Sequence, residues 1–121
     1  MQNKNVAILG ASDDKDRYSY MAFRLLKDHG YLPVPIHPSL GEIEGEKVFK
    51  SLSEAPSADT LTLYVNPKIS SQMMADIIKF GAKRVIFNPG TENPELREKL
   101  HQNGVEVLEA CTLVMLKTGQ F

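Results

Sequence analysis

Four short segments of this chain carry turn residues and polar groups able to hold a small molecule: Gly10-Ala11-Ser12, His37-Pro38-Ser39, Asn66-Pro67 and Asn88-Pro89-Gly90-Thr91-Glu92. Each follows an apolar run. The first is the most telling, because Val6-Ala7-Ile8-Leu9 reads as a buried strand, Gly10-Ala11-Ser12 as a tight turn, and the stretch from about Tyr20 as an amphipathic helix. That order is the first half of a nucleotide-binding βαβ unit, in which a helix N-terminus offers unpaired backbone N–H groups to a phosphate. The dinucleotide fingerprint G-x-G-x-x-G is incomplete, since Ser12 and Lys15 stand where its second and third glycines belong. An NAD site also needs an acid at the end of the second strand for the ribose hydroxyls. His37-Pro38 occupy that place, and the nearest acid, Glu42, lies beyond Gly41.

Other chemistries fit less well. Ser12 does not sit in G-x-S-x-G, and no Asp and His follow at suitable strand ends to activate it. The three histidines lack the spacing of a metal site, so no metal is expected. The single cysteine, Cys111, reads as a small buried residue and can form no internal disulfide. Lys4, Lys15 and Arg17 lie near the first turn, but Asp13, Asp14 and Asp16 are interleaved with them. Three of the four segments place a proline at nearly the same point. Rigid turns with few charges suit a flat ring or an extended ligand pressed against backbone better than acid–base catalysis. Each feature also has a plainer use: Gly10 as a turn residue, the prolines as loop stiffeners, His37 as a loop residue.

The elements that must position these segments alternate. Met21, Ala22, Leu25, Leu26 and His29 recur at helical spacing, and Gly30 closes that helix. Leu32 to Ile36 reads as a second strand, short or irregular because Pro33 and Pro35 cannot donate to a ladder. Residues 39–57 read as a polar loop with a helical turn near Ser53. Thr60 to Val65 is a third strand, and Pro67 opens one helix striped with Ile69, Met73, Ile77 and Ile78, which ends at Gly81. Arg84 to Phe87 is the next strand. Asn93-Pro94-Glu95 start a helix as N-cap, N1 proline and first-turn acid, with Leu96 and Leu100 facing the core. Val105 to Leu108 is the last strand, and Leu113 to Lys117 a final helical turn that packs on the sheet rather than in a dimer interface. This alternation predicts an α/β fold: a doubly wound parallel sheet of about five strands with helices on both faces.

Length and composition set the frame. The 121 residues form one domain, 1–121, with an apolar share of 42% that can build one core. A net charge of −1 supplies no global field for nucleic acid, and Lys and Arg form no local patch. Neither a secretory signal nor an apolar run of membrane-spanning length is visible, so a cytoplasmic protein is expected.

The motifs together resemble a known family. Val6-Ala7-Ile8-Leu9-Gly10-Ala11-Ser12, Arg17-Tyr18-Ser19-Tyr20, Gly30-Tyr31 leading into Val34-Pro35-Ile36-His37-Pro38, Gly45 with Ser51-Leu52, and Asn88-Pro89-Gly90-Thr91-Glu92-Asn93 are similar to the stand-alone CoA-binding domain proteins. These in turn are similar to the N-terminal domain of the succinyl-CoA synthetase α-subunit. Cys111 falls where that family often has a cysteine. The resemblance covers nearly the whole chain. It implies a Rossmann-like domain binding coenzyme A across its strand ends. Gly10, Ala11 and Ser12 would contact the diphosphate, with Arg17 and Tyr18 nearby. His37 and Pro38 would lie by the adenosine end, and Val65, Asn66 and Pro67 would flank adenine or ribose. Asn88, Pro89, Gly90 and Glu92 would border the pantetheine path. His37 departs from the asparagine usual in the family, and Asn88-Pro89 from a glutamine-containing end. The synthetase's phosphorylated histidine belongs to a second domain, so the resemblance implies no ligase activity. The expected function is non-catalytic binding of CoA or an acyl-CoA. The alternative is an NAD(H)-responsive regulatory module, with a protein partner or a homodimer left open, and a small enzyme using Ser12 or His37 stands third.

Overall fold

The computed structural model describes residues 4–121. Strands β1 (Asn5–Leu9), β2 (Leu32–Ile36), β5 (Thr60–Leu63), β6 (Arg84–Phe87) and β7 (Glu106–Glu109) form a five-stranded sheet in the order β2-β1-β5-β6-β7. Every neighbouring pair in it is parallel. A separate two-stranded hairpin joins β3 (Glu42–Ile43) to β4 (Glu46–Lys47).

Alternation along β1 divides the core. Val6 and Ile8 face one layer, where Phe23 and Leu26 of α1 (Tyr18–Asp28), Leu116 of α5 (Thr112–Lys117), and Ile43 and Val48 pack against them. Ala7 and Leu9 face the other, with Leu52, Ile77 of α3 (Met74–Phe80), and Leu96 and Leu100 of α4 (Pro94–Gln102). Strands buried on both faces read as continuous apolar runs, which is why they were legible in the sequence.

The prolines of β2 are explained by its place at the sheet edge. Leu32 donates its N–H to Lys4 and Ile36 accepts from Gly10, so these positions face β1. Pro33 and Pro35 therefore direct their missing donors outward. That edge is covered by Phe49, whose N–H donates to the Pro35 carbonyl and whose carbonyl accepts from His37 N–H, both at 2.9 Å.

Several local expectations are corrected. The loop over 39–57 contains the β3–β4 hairpin, turned by Glu44 (φ 47) and Gly45 (φ 85), the pair of positive dihedrals that a two-residue type I′ turn needs. Its apolar Ile43 is 1% exposed beneath it. The single helix after Pro67 is two, α2 (Pro67–Gln72) and α3, broken at Met73. The break turns Ile69 to solvent while Ile77 stays buried. On α1 the core face is carried by Ser19, Ala22, Phe23 and Leu26, with Met21 exposed. No helix among the described residues is long and apolar enough to cross a membrane.

Candidate functional site

From β1 the chain runs to β2 on one side and returns to β5 on the other. In such sheets a crevice opens between the carboxyl ends of the two strands flanking the reversal. Gly10 lies there, immediately after β1, with φ +91. A Cβ placed on it would stand 2.9 Å from the Tyr64 carbonyl oxygen and 3.0 Å from Val65 Cγ1. Only glycine meets both the dihedral and the approach. Tyr64 N–H donates to the Leu9 carbonyl at 2.8 Å, which locks the end of β5 against this turn.

The turn's donors divide into two sets. Gly10 and Ala11 both give their N–H to the Ile36 carbonyl at 3.1 Å, so their amides are spent on the fold. The next two, of Ser12 and Asp13, have no acceptor among the described residues. Ser12 Oγ accepts from Asp14 N–H, Asp14 Oδ1 accepts from Asp16 N–H, and the Asp14 carbonyl accepts from Arg17 N–H, each at 3.0 Å. These local bonds hold the segment as a loop, and α1 begins at Tyr18 rather than directly after Ser12. A helix N-terminus directly after the turn is thus not what the structure builds. Arg17 stands at the N-cap of α1 without giving it a side-chain acceptor, and its guanidinium lies 4.0 Å from Asp14. Tyr18 is 70% exposed.

The other sequence-derived residues surround this crevice in different ways. His37 follows Ile36, and so sits directly beside the Gly10 turn. Its Nδ1 accepts from Ser39 N–H at 3.1 Å and Leu40 N–H at 3.2 Å, and Pro38 is exposed between them. Val65 packs on Gly10. Asn66 is the N-cap of α2, accepting from Ile69 N–H at 2.9 Å, and Pro67 is its first residue. Pro89, Gly90 and Glu92 form an exposed turn in which Glu92 Oε1 accepts from Gly90 N–H at 2.9 Å.

Asn88 is different. It is 2% exposed, its Nδ2 donates to Thr62 Oγ1 (2.6 Å) and to the Leu63 carbonyl (2.8 Å), and its Oδ1 accepts from Thr112 N–H (2.9 Å). The amide ties β5, β6 and α5 together, and its oxygen and nitrogen both serve the fold. Asn93 works similarly: as N-cap of α4 it accepts from Leu96 N–H, and its Nδ2 reaches Ser70 Oγ (2.9 Å) and Ser71 Oγ (3.0 Å) of α2.

Reasoning from sequence missed Tyr64. Its hydroxyl is buried near Thr62 and Thr112, but these bond each other at 2.8 Å and the phenol has no partner of hydrogen-bond geometry among the described residues. Burial pushes its pKa up to about 12, and the nearby Cys111 thiol adds to the effect. In the sequence Tyr64 reads as part of an apolar strand, and its position one residue past β5 carries no sequence signal. Cys111 itself is half-buried at the N-cap of α5, more open than expected.

The family profile of the CoA binding domain matches residues 4–117, and the chain belongs to that family. Among curated relatives, the Bacillus subtilis protein YneT is 26% identical over 93% of this chain and 85% of its own length. The α subunit of the ADP-forming acetate–CoA ligase II of Pyrococcus furiosus is 27% identical over 87% of this chain. An ADP-forming acetate–CoA ligase of Methanocaldococcus jannaschii is 33% identical over 82% of it. The chain spans only 26% and 15% of those two ligases. Among solved structures, one of an uncharacterized protein is 41% identical, covers 100% of this chain and 99% of that one, and superposes with a TM-score of 0.90. A hypothetical protein of Pyrococcus horikoshii, 29% identical over 96% of this chain and 83% of its own, gives 0.88. The Rossmann-like α/β sheet is thus common to this chain and those two structures.

Proposed function

We propose that this chain is a non-catalytic module that binds coenzyme A or an acyl-CoA at the carboxyl edge of its sheet, in a cytoplasmic setting. The observation that carries the reading is the Gly10 turn. It sits at the chain reversal, is pressed against the end of β5, and is followed by two N–H groups, of Ser12 and Asp13, that no described residue accepts. Backbone donors at such a turn suit a diphosphate. Family membership and the two ligase relatives support CoA as the nucleotide. The ligase chemistry of those longer proteins is not carried over. A binding role is favoured because Ser12 Oγ and His37 Nδ1 are both occupied by loop N–H groups, leaving neither arranged as nucleophile and base. The NAD(H) reading lacks its ribose-binding acid at the end of β2.

Isothermal titration with CoA, NADH and ATP tests this. CoA is expected to bind, with weak comparators. Ser12→Asp keeps an acceptor for Asp14 N–H but sets a carboxylate against the diphosphate, and is expected to abolish binding. Unchanged affinity in that variant removes the proposed site. Tight NADH binding without CoA binding transfers the assignment to the redox-responsive module.

A further inference from the structure

We infer that α1 and α5 together form the face on which a second copy of this chain docks, in a two-fold arrangement that sets the helices of one copy antiparallel to those of the other. The docking does not depend on the CoA reading.

The exposed apolar surface is unevenly placed. Among the described residues five large hydrophobic side chains are exposed, and three of them lie on these two helices: Tyr18 (70%), Met21 (38%) and Val114 (55%). Scattered singly, such residues are ordinary surface; gathered, they mark an interaction site. The helices are neighbours on one face of the sheet, where Phe23 and Leu26 of α1 share a core cluster with Leu116 of α5. Tyr20, Arg24 and Lys27 occupy the flank of α1 that meets the β3–β4 hairpin. Tyr18, Met21 and the half-buried Leu25, spaced i, i+3 and i+7, form the other flank, which faces α5. The inner side of α5 packs on the sheet through Thr112, Leu113, Met115 and Leu116, while Val114 turns outward. An apolar strip therefore runs along the seam between the helices, with nothing among the described residues over it.

Charge selects the occupant. Both helices follow the carboxyl ends of parallel strands, α1 after β1 and α5 after β7, so they run side by side in one direction. At their starting end, beyond the Arg17–Asp14 pair, stand Asp13, Lys15 and Asp16, an exposed group that is negative in sum. At their far end, beyond the Arg24–Asp28 pair, stands the exposed Lys117. Asp13, Asp16 and Lys117 have no group of opposite charge within ion-pair distance among the described residues. A second copy laid on the seam in the same direction would set acid on acid and lysine on lysine. Turned end for end, it sets Lys117 of each copy against the Asp13–Asp16 loop of the other, with Met21 and Val114 of both between them. A two-fold axis makes that contact twice from one surface, as an isologous interface requires.

Sedimentation velocity from about 1 μM to about 1 mM protein tests this. The unaltered protein is expected to form a reversible dimer. Val114→Glu alters an outward side chain and is expected to weaken the dimer at least about tenfold. Met21→Glu repeats the test from α1 should the first variant fail to fold. Ile69→Glu, at a comparably exposed residue (41%) of α2 on the opposite face of the sheet, is expected to leave association unchanged. Lys117→Glu is expected to weaken the dimer, and the double variant Lys117→Glu/Asp16→Lys to restore it. A protein that stays monomeric throughout overturns the inference. So does a dimer that the Val114 and Met21 variants leave intact, or that Ile69→Glu weakens as much. A double variant no tighter than Lys117→Glu alone overturns the antiparallel arrangement, and the inference with it.

Discussion

Replacing Gly10 by alanine adds one methyl group at the tightest point of the crevice. Two costs follow. A side chain at φ +91 is strained by roughly 1–2 kcal/mol. The new Cβ would also lie 2.9 Å from the Tyr64 carbonyl oxygen and 3.0 Å from its carbon, and backbone cannot swing aside as a flexible side chain can. Overpacking of this kind adds about 1–3 kcal/mol. Gly90 separates the two costs, since it has the same φ of +91 but nothing within 4 Å of its Cβ position. Gly90→Ala should therefore show the dihedral strain alone, and the difference between the variants isolates the close approach. With a urea slope of about 2 kcal/mol per molar, Gly10→Ala should unfold about 0.5–1.5 M earlier than Gly90→Ala. Urea denaturation followed by circular dichroism reads this directly. Coincident midpoints would refute the reasoning: the turn could then yield to a side chain, and β5 would not be pinned against it as the distances say.

Other expectations concern the polar groups beneath the crevice. Tyr64→Phe removes a hydroxyl that has no partner among the described residues, so stability at neutral pH should hold or rise by up to about 1 kcal/mol. Because burial raises the folded phenol from 10.0 to about 12, the unfolded chain loses that proton first. The contribution is fully present below pH 10 and is lost as pH climbs through 12, about 2–3 kcal/mol in all. Urea midpoints from pH 9 to 12 should fall more steeply for the unaltered protein than for Tyr64→Phe, and parallel curves would contradict the assignment. Asn88→Ala strands the Leu63 carbonyl and the Thr112 N–H in the interior, and should cost roughly 2–4 kcal/mol in the same denaturation assay. A loss below about 1 kcal/mol would mean that this amide does not hold β5, β6 and α5 together.

The sequence by itself determined what depends on neighbours along the chain. Val6 to Leu9 and Arg84 to Phe87 are apolar runs that only a doubly covered parallel strand can bury. Asn93-Pro94 and Asn66-Pro67 start helices because a short polar side chain followed by proline satisfies the first turn locally. Strand and helix signals alternated, so the wound sheet and its carboxyl edge followed, and the candidate segments were legible as the residues after each strand. Tertiary structure decided what depends on contacts distant in sequence. Whether Gly10 was an ordinary turn or a forced one rested on Tyr64, a partner more than fifty residues away. Asn88 reads in the sequence as a residue at a strand end, and only the fold engages its amide with Thr62, Leu63 and Thr112, on elements far apart in the chain. The break at Met73 carries no glycine or proline, so the periodicity runs through it and places Ile69 in one apolar stripe with Ile77, although Ile69 is exposed. The hairpin at 42–47 hid in a polar stretch because its strands are two residues each and their stability comes from Ile43 packing under α1. A chain's local preferences fix which elements form, whereas which polar groups remain free for a ligand is settled only when those elements meet and use up one another's donors and acceptors.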